Sequence, residues 1–305
     1  MRCSHPNYCL DLGLKENGKR FIKFLPRRVD LYSMKQLSER YGKESVIPMP
    51  CGKCLNCRIN HAKEWAVRCV LESLYHDDNY FITLTYDDEH LPSDGLLYRR
   101  DVQLFLKRLR KRIGSFRYFG CGEYGGKTHR PHYHLILFGA KLPDLKSIGA
   151  GLFESQIMKE VWPFGFNTIG FVTYSSCNYV ATYTTKKVLD PMGDYCGEFC
   201  MSSTNPGIGY QWCKDHLKTV LDYDSVFGDF GNTKCMKMPR YFEKIAEILD
   251  QGTYLEVKAK RLDKTNALEI NKMLVHSIDR VEMLLEYEEN ITLNDFIARK
   301  AGRKL

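Results

Sequence analysis

The chain has 305 residues, enough to bury a sizeable core in one large domain or two. Its formal net charge of +8 indicates a polyanionic partner only weakly, because the excess is spread over many residues. The 12 cysteines fall short of the roughly 8 to 10% that a small disulfide scaffold carries. No segment approaches the roughly 18 apolar residues of a membrane span, and the start of the chain lacks an apolar signal core. We therefore expect a protein of a reducing cytoplasm, without membrane association and with mostly reduced cysteines.

A cysteine motif closes the N-terminal segment, residues 1–57. The motif PCGKCLNCR separates successive cysteines by two residues: Cys51, Cys54 and Cys57. This spacing suits zinc thiolates, and an iron–sulfur cluster is the alternative metal group. Three residues near the start of the chain are candidates for a fourth ligand: Cys3, His5 and Cys9. The segment therefore predicts a structural metal knuckle, against the simpler reading of ordinary loop cysteines.

Hydrophobic periodicity predicts alternating helices and strands after this segment. In chain order they are a helix (58–75), a strand (80–86), a basic helix (98–114), two strands (116–125 and 132–139), a helix (152–162), a strand (167–174) and a helix (176–189). Without the first helix, this order is β-α-β-β-α-β followed by one more helix. It predicts an α+β, ferredoxin-like fold, an antiparallel sheet with helices on one face, in a domain over residues 58–190.

Two further regions complete the chain. Residues 191–240 are rich in Gly, Cys, Asp and Ser, which is typical of an insertion or a flexible region. Residues 241–305 predict a helical C-terminal region, either packed on the core or available to a partner. Its apolar residues have the spacing of an amphipathic helix: Ile270, Leu274, Ile278, Val281 and Leu285.

The basic helix, YRRDVQLFLKRLRKRIG, alternates cationic with apolar residues. Such a helix suits phosphate backbones, although an ordinary solvated face explains the same pattern. Four of its residues are candidate nucleic-acid contacts: Arg99, Arg100, Lys107 and Arg110.

The segment RPHYHLILFG carries two histidines just before an apolar strand. Because side chains alternate along a strand, His132 and His134 share one face and Tyr133 points the other way, into packing. Two imidazoles so placed can hold a metal ion, although two partly exposed histidines are the simpler reading. In the preceding strand, Glu123 of GCGEYGG can reach the same point. A further candidate for the third ligand lies on the hairpin itself: His129.

The segment NYVATYTTKK predicts a helical face with two tyrosines and a lysine. Tyr179 and Tyr183 are one turn apart, and Lys186 is about two turns from Tyr179. A tyrosine hydroxyl can form a phosphodiester link with a phosphate that a metal polarises. Lys186 could stabilise the developing charge or lower the tyrosine pKa. Buried tyrosines in amphipathic packing are the alternative.

Three segments, in this order, resemble the motifs of HUH-type rolling-circle replication initiators. They are FITLTYDDEHLP (81–92), GEYGGKTHRPHYHLILFG (122–139) and YVATYTTKK (179–187). With the early PCGKCLNCR, the sequence is most similar to the replication initiation proteins of microviruses of the gokushovirus branch. The resemblance spans residues 50–190.

This resemblance implies a tyrosine DNA endonuclease that also rejoins strands. It implies ligands for Mg²⁺ or Mn²⁺: His132, His134 and Glu123. It implies two nucleophiles with a supporting lysine: Tyr179, Tyr183 and Lys186. One tyrosine cuts the origin, stays joined to the 5′ phosphate and frees a 3′ hydroxyl; the other cuts the regenerated origin, so that the released strand is circularised. The first motif implies DNA contacts by two threonines: Thr83 and Thr85.

The implied partners are origin DNA, single-stranded or supercoiled double-stranded, and the helicase, DNA polymerase and single-strand binding protein of the host cytoplasm. The GGKT string supplies no motor, because Cys121 stands where a phosphate loop needs glycine and a strand follows instead of a helix. Two other hypotheses remain. One is a non-catalytic DNA-binding or packaging protein with structural metal, and the other is a water-activating metal phosphoesterase that cuts without a covalent intermediate.

Overall fold

The computed structural model describes residues 3–14, 20–25, 36, 40, 46–126, 128–182, 197–261, 263 and 290–292. The chain divides into two compact units, one of residues 1–60 with 255–305 and one of residues 61–254. Within the described ranges, no helix combines the length and the apolar character that crossing a membrane requires.

The first unit contains a three-stranded antiparallel sheet. Its strands are β1 (Asn7–Leu14), β2 (Arg20–Phe24) and β3 (Val46–Met49), and β1 lies between the other two. Cys9 is fully buried in β1, opposite Phe24 and Ile47. The cysteine motif follows β3 and leads into helix α1 (Leu55–Ser73).

The second unit is built on a seven-stranded antiparallel sheet. Its strands are β4 (Asn79–Tyr86), β5 (Arg117–Tyr124), β6 (Pro131–Phe138), β7 (Lys146–Gly149), β8 (Leu152–Glu154), β9 (Gly165–Phe171) and β10 (Phe199–Ser202). The spatial order is β10-β5-β6-β4-β9-β8-β7. The strands that the sequence predicts therefore occupy the centre of the sheet, in the order β5-β6-β4-β9.

One face of this sheet packs against helices α2 (Arg99–Ile113) and α3 (Gln156–Val161). The apolar stripe of α2 is buried there: Val102, Phe105, Leu106 and Leu109. Tyr133 is fully buried on this face, where its hydroxyl accepts a hydrogen bond from the backbone N–H of Tyr98 at 2.9 Å. The prediction that Tyr133 is a packing residue on the face opposite the histidines is confirmed.

The other face packs against helix α1 and helix α4 (Tyr174–Thr182). The prediction of helices on one face only is therefore wrong. Small residues of both helices meet the sheet, among them Ala62, Ala66, Cys177 and Ala181. The reason lies in β6, whose run LILF is buried throughout. A strand that is apolar at successive positions needs cover on both faces.

Two predicted helices have different bounds in the structure. The helix expected at 152–162 is preceded by β8 and begins after Ser155, whose hydroxyl accepts a hydrogen bond from the N–H of Met158 at 3.2 Å. The helix expected at 176–189 begins at Tyr174, and its part beyond Thr182 lies outside the described residues. The amphipathic pattern at 270–285 also lies outside them.

Residues 197–240, within the region predicted as an insertion or flexible segment, carry regular structure. Strand β10 is followed by α5 (Tyr210–Asp215), α6 (Leu217–Tyr223), β11 (Ser225–Phe227) and β12 (Cys235–Lys237), and then by α7 (Arg240–Leu249) and helical residues 251–261. Buried Glu72 of α1 fastens this region to the sheet. Its Oε2 accepts from the N–H of Gly209 at 2.6 Å, and its Oε1 pairs with Arg117 of β5. Here the glycines belong to turns and caps between ordered elements.

Candidate active site and cysteine cluster

Antiparallel pairing aligns the predicted site residues in two neighbouring rows across β5, β6 and β4. In the first row Glu123 is opposite His132, and His132 is opposite Thr85. In the second row His134 is opposite Thr83. Directly opposed residues point to the same side of a sheet. Both rows therefore lie on the face that carries α1 and α4.

His134 is fixed through both ring nitrogens. Its Nε2 lies 2.8 Å from Oε1 of Glu123, and its Nδ1 lies 3.1 Å from Oγ1 of Thr83. Both members of the His134–Glu123 pair are buried, and the imidazole stacks on Phe81 at a centroid distance of 5.7 Å. A carboxylate only accepts hydrogen bonds, so Nε2 carries the proton here and Nδ1 accepts from the threonine hydroxyl. His129, the alternative third ligand, is exposed on the hairpin with φ 51°.

His132 is half-buried and has a defined tautomer. Its Nδ1 lies 3.0 Å from the carbonyl oxygen of Pro131, which can only accept, so Nδ1 carries the proton and Nε2 does not. Burial lowers the pKa of His132, and the neighbouring His134 lowers it further. A neutral imidazole with a bare Nε2 is the form that binds metals. Among the described residues, however, His132, His134 and Glu123 do not form a group with all donor atoms within 4.8 Å of one another.

Helix α4 places Tyr179 directly beside this pair. Its ring meets His134 edge-on at a centroid distance of 5.2 Å and Phe81 edge-on at 6.2 Å. Val180 and Ala181, the next two residues, are fully buried and anchor the helix to the sheet. Tyr179 itself is half-buried. Two other residues of the predicted site lie outside the described ranges: Tyr183 and Lys186.

The basic residues of α2 are not brought to this site. Helix α2 packs on the opposite face of the sheet. Arg99 donates to the carbonyl of Cys200 at 2.9 Å, and Arg110 lies over the ring of Phe116 at 4.8 Å. Arg100 and Lys107 are exposed. Contact between these four cations and nucleic acid stays a prediction.

Sequence reasoning missed two residues that shape the site. Phe81, which supports the ring of His134, alternates with the two threonines in FITLTY, so the period of two could have identified it. Gly125 adjoins His132, because a Cβ at this glycine would lie 3.1 Å from Nε2. No local pattern distinguishes Gly125 from Gly126, which has nothing within 4 Å of such a Cβ.

A separate cluster of thiols lies in the first unit. Four sulfur atoms are all within 4.8 Å of one another: those of Cys3, Cys51, Cys54 and Cys57. The N–H groups of Lys53 and Cys54 point at the sulfur of Cys51 at 3.4 and 3.3 Å. Gly52, with φ +71°, allows the tight turn between them. Of the three candidates for a fourth member, the structure places Cys3 in the cluster, while Cys9 is buried in β1.

The cluster favours a thiolate at Cys54. Burial opposes ionisation, but backbone N–H groups of Cys57 and Ser4 and the neighbouring thiols lower the pKa of Cys54 to about 6. Burial raises the pKa of Cys57 to about 11. Four sulfur donors around one point, supported by N–H groups, can hold a metal ion.

Comparisons with known proteins agree with the motifs. A family model for replication-associated proteins of the ORF2 type matches residues 79–188. Replication-associated protein VP4 of Bdellovibrio phage phiMH2K is 34% identical over 247 residues, covering 75% of this chain and 76% of that protein. Replication-associated protein ORF2 of Spiroplasma virus 4 is 34% identical over 283 residues, covering 84% and 87%. Replication-associated protein ORF4 of Chlamydia phage 1 is 33% identical over 159 residues, covering 48% and 40%. No solved structure matches the chain.

Proposed function

The chain belongs to the gokushovirus-type family of phage replication-associated proteins, and we propose that it initiates replication by cutting one strand of origin DNA with a tyrosine. One observation carries the proposal. The ring of Tyr179 lies against His134, which is joined to Glu123 on the same face of the sheet. A hydroxyl nucleophile and a pair of metal-ligating groups at one place are what phosphodiester transfer requires.

The proposed scaffold is a ferredoxin-like core of four strands. Chain order β4-α2-β5-β6-α3-β9 and spatial order β9-β4-β6-β5 support it, since the first and third strands lie side by side in the middle. The two histidines stand on the third strand, flanked by strands that supply Glu123 and the threonines. Positions on paired strands are more exact than positions on loops.

The proposed metal ligands are Nε2 of His132, Nε2 of His134 and the carboxylate of Glu123. One carboxylate with two imidazoles suits Mn²⁺ well and Mg²⁺ less well, since Mg²⁺ prefers oxygen ligands. When bound, a divalent ion would polarise the phosphate under attack and take the place of the proton between His134 and Glu123. The His132 imidazole has to close toward that pair.

Thr83 suits both states of His134. With Nε2 protonated, its hydroxyl donates to Nδ1; with Nε2 bound to a metal, Nδ1 carries the proton and the same hydroxyl accepts it. We therefore assign Thr83 an orienting role. Thr85, which stands in the row of His132, is the better candidate for a DNA contact.

In the proposed reaction the phenolic oxygen of Tyr179 attacks the scissile phosphorus. A bond forms between this oxygen and phosphorus while the bond from phosphorus to the 3′ oxygen breaks. The phenolic proton is lost, and the leaving 3′ oxygen takes up a proton to become a hydroxyl. The 5′ phosphate stays on the tyrosine. Tyr183 would repeat the step after one round of copying, and Lys186 would stabilise the charge on the phosphate.

We also propose that the cysteine cluster holds a structural zinc ion. Four thiolates arranged tetrahedrally are the usual ligands of such a site, and a closed set leaves no position for substrate. An iron–sulfur cluster is the alternative with the same ligands. Zinc content and the absence of visible absorption in the purified protein would distinguish the two.

The proposed partners are those of a nicking enzyme without a motor. The substrate is origin DNA, single-stranded or supercoiled, and host helicase, DNA polymerase and single-strand binding protein perform unwinding, copying and covering in the host cytoplasm. A pull-down of host proteins on nicked origin DNA, with and without this chain, would test their recruitment.

The deciding experiment uses labelled single-stranded oligonucleotides that tile the encoding genome, incubated with Mn²⁺ or Mg²⁺ and resolved on a denaturing gel. We expect a covalent adduct with the wild type and none with the double variant Tyr179→Phe, Tyr183→Phe. Tyr174→Phe, on the same helix, is the matched control and should form adducts at the wild-type yield.

The other hypotheses give different gels. A water-activating phosphoesterase would cut without an adduct and would tolerate loss of both tyrosines. A DNA-binding or packaging protein would shift the DNA but never cut it. Normal adduct yield in the double variant would exclude the proposed nucleophiles.

A further inference from the structure

Phe166 stands at the end of the row that contains His132. Strand β9 pairs with β4 so that Phe166 is opposite Thr85. Thr85 in turn is opposite His132, and His132 is opposite Glu123. The row therefore runs across four adjacent strands, from the carboxylate to an aromatic ring. Adjacent strands are about 4.8 Å apart, so the backbone of Phe166 is roughly 10 Å from that of His132.

The side chain of Phe166 faces the same way as the proposed ligands and is open to solvent. Ile169, three positions along β9, is fully buried in the core on the opposite face. Alternation along the strand therefore turns Phe166 toward the site face. Its exposed fraction is 68%. Helix α4 covers the neighbouring row at His134 through Tyr179, so the site opens toward Phe166.

Phe171, on the same strand, shows what an ordinary exposed phenylalanine looks like here. It is 59% exposed, but it lies on the opposite face and contacts Phe153 at 4.9 Å and Tyr80 at 6.3 Å between ring centroids. Phe166 has no comparable ring contact within the described part of the chain. Single exposed apolar residues are common, so the position of Phe166 in the row is what distinguishes it.

The backbone holds Phe166 in place. A Cβ at the preceding residue, Gly165, would lie 2.3 Å from the backbone nitrogen of Asp87 and 2.6 Å from the carbonyl oxygen of Thr85. Gly165 also has φ +143°. The start of β9 is thus seated closely on the end of β4, and only glycine permits this contact. An aromatic ring on a rigid strand loses little entropy when a planar group stacks on it.

We propose that Phe166 is a stacking platform for a nucleobase next to the phosphate that is cut. The inference rests on the proposed function, because it assumes that DNA crosses this face of the sheet. Base–aromatic stacking is largely independent of sequence, since every base has a π-face. In a duplex the faces of the bases are already stacked on their neighbours. Phe166 therefore favours single-stranded DNA over duplex DNA at the site.

The test measures binding without cleavage. A fluorescently labelled thymidine oligonucleotide is titrated with the full chain in EDTA and followed by anisotropy. Phe166→Ala should bind roughly 10-fold more weakly than the wild type, the effect of losing one stacked base. Phe166→Trp should retain the affinity. Phe171→Ala, the matched control on the opposite face, should bind like the wild type, and thermal melts of both alanine variants report whether they are folded.

A second oligonucleotide of equal length, with abasic sites throughout, separates stacking from charge. The wild type should prefer the thymidine strand, and Phe166→Ala should lose roughly 10-fold of that preference. Equal preference in the wild type and Phe166→Ala would overturn the inference, while adducts on the denaturing gel would still support the proposed function. If the wild type neither binds the oligonucleotide nor forms adducts, both fail together.

Discussion

The two candidate metal sites are built in different ways. The cysteine cluster takes three of its four ligands from a stretch of seven residues and brings all sulfur atoms within 4.8 Å. The histidine site takes its groups from neighbouring strands, and only His134 and Glu123 are in direct contact. A closed set of four is typical of a metal that holds a fold, whereas an incomplete set with room for substrate is typical of a metal that takes part in chemistry. We therefore expect metal removal to affect structure at the first site and activity at the second.

The largest expected effect is on the first unit. Cys54→Ala should abolish zinc binding and unfold this unit, because a structural zinc contributes on the order of 10 kcal/mol to folding. Zinc content by elemental analysis and limited proteolysis would measure both effects. Cys235→Ala, at an exposed cysteine, is the control and should change neither. A Cys54→Ala protein that keeps its zinc would refute the closed-site interpretation.

An intermediate effect is expected where an ion pair stabilises the second unit. Burial opposes the ionisation of Glu72, but its bonds to His76, Gly209 and Arg117 lower the pKa below 4.5. A lowered folded-state pKa means that Glu72 stabilises the fold above that pH and that this contribution is lost as the pH falls through the lowered pKa. Glu72→Gln should therefore reduce the free energy of unfolding by about 1–3 kcal/mol at neutral pH.

Urea unfolding at neutral pH and in acid would measure this effect. The difference between Glu72→Gln and the wild type should shrink in acid, where the wild-type carboxyl is protonated. Glu160→Gln removes a carboxylate from an exposed pair with Arg112 and should cost well under 1 kcal/mol. If both variants lost the same stability, the buried pair would have no special role.

The smallest expected effect is at the histidine site. Gly125→Ala should weaken Mn²⁺ binding several-fold, because the new Cβ lies 3.1 Å from Nε2 of His132 and displaces the imidazole. Gly126→Ala, the adjacent substitution with open space around its Cβ, should leave the affinity unchanged. Mn²⁺ titration by electron paramagnetic resonance would compare them. Equal affinity in the two variants would show that His132 is not a ligand.

Local patterns in the sequence predicted the parts of each site correctly. The alternation in HYH placed His132 and His134 on one face and Tyr133 in the opposite core, and the structure confirms this arrangement. The spacing of Cys51, Cys54 and Cys57 predicted their convergence. These features depend on residues a few positions apart, and the geometry of a strand or a tight turn determines them directly.

Only the tertiary structure decided which distant groups meet. It joined Glu123, and not His129, to His134; it gave the hydroxyl of Thr83 to the same ring; and it chose Cys3 over Cys9. It also covered the second face of the sheet and set Phe166 in line with His132. Each of these contacts depends on strand register and on packing between segments far apart in the chain, which short-range periodicity does not encode.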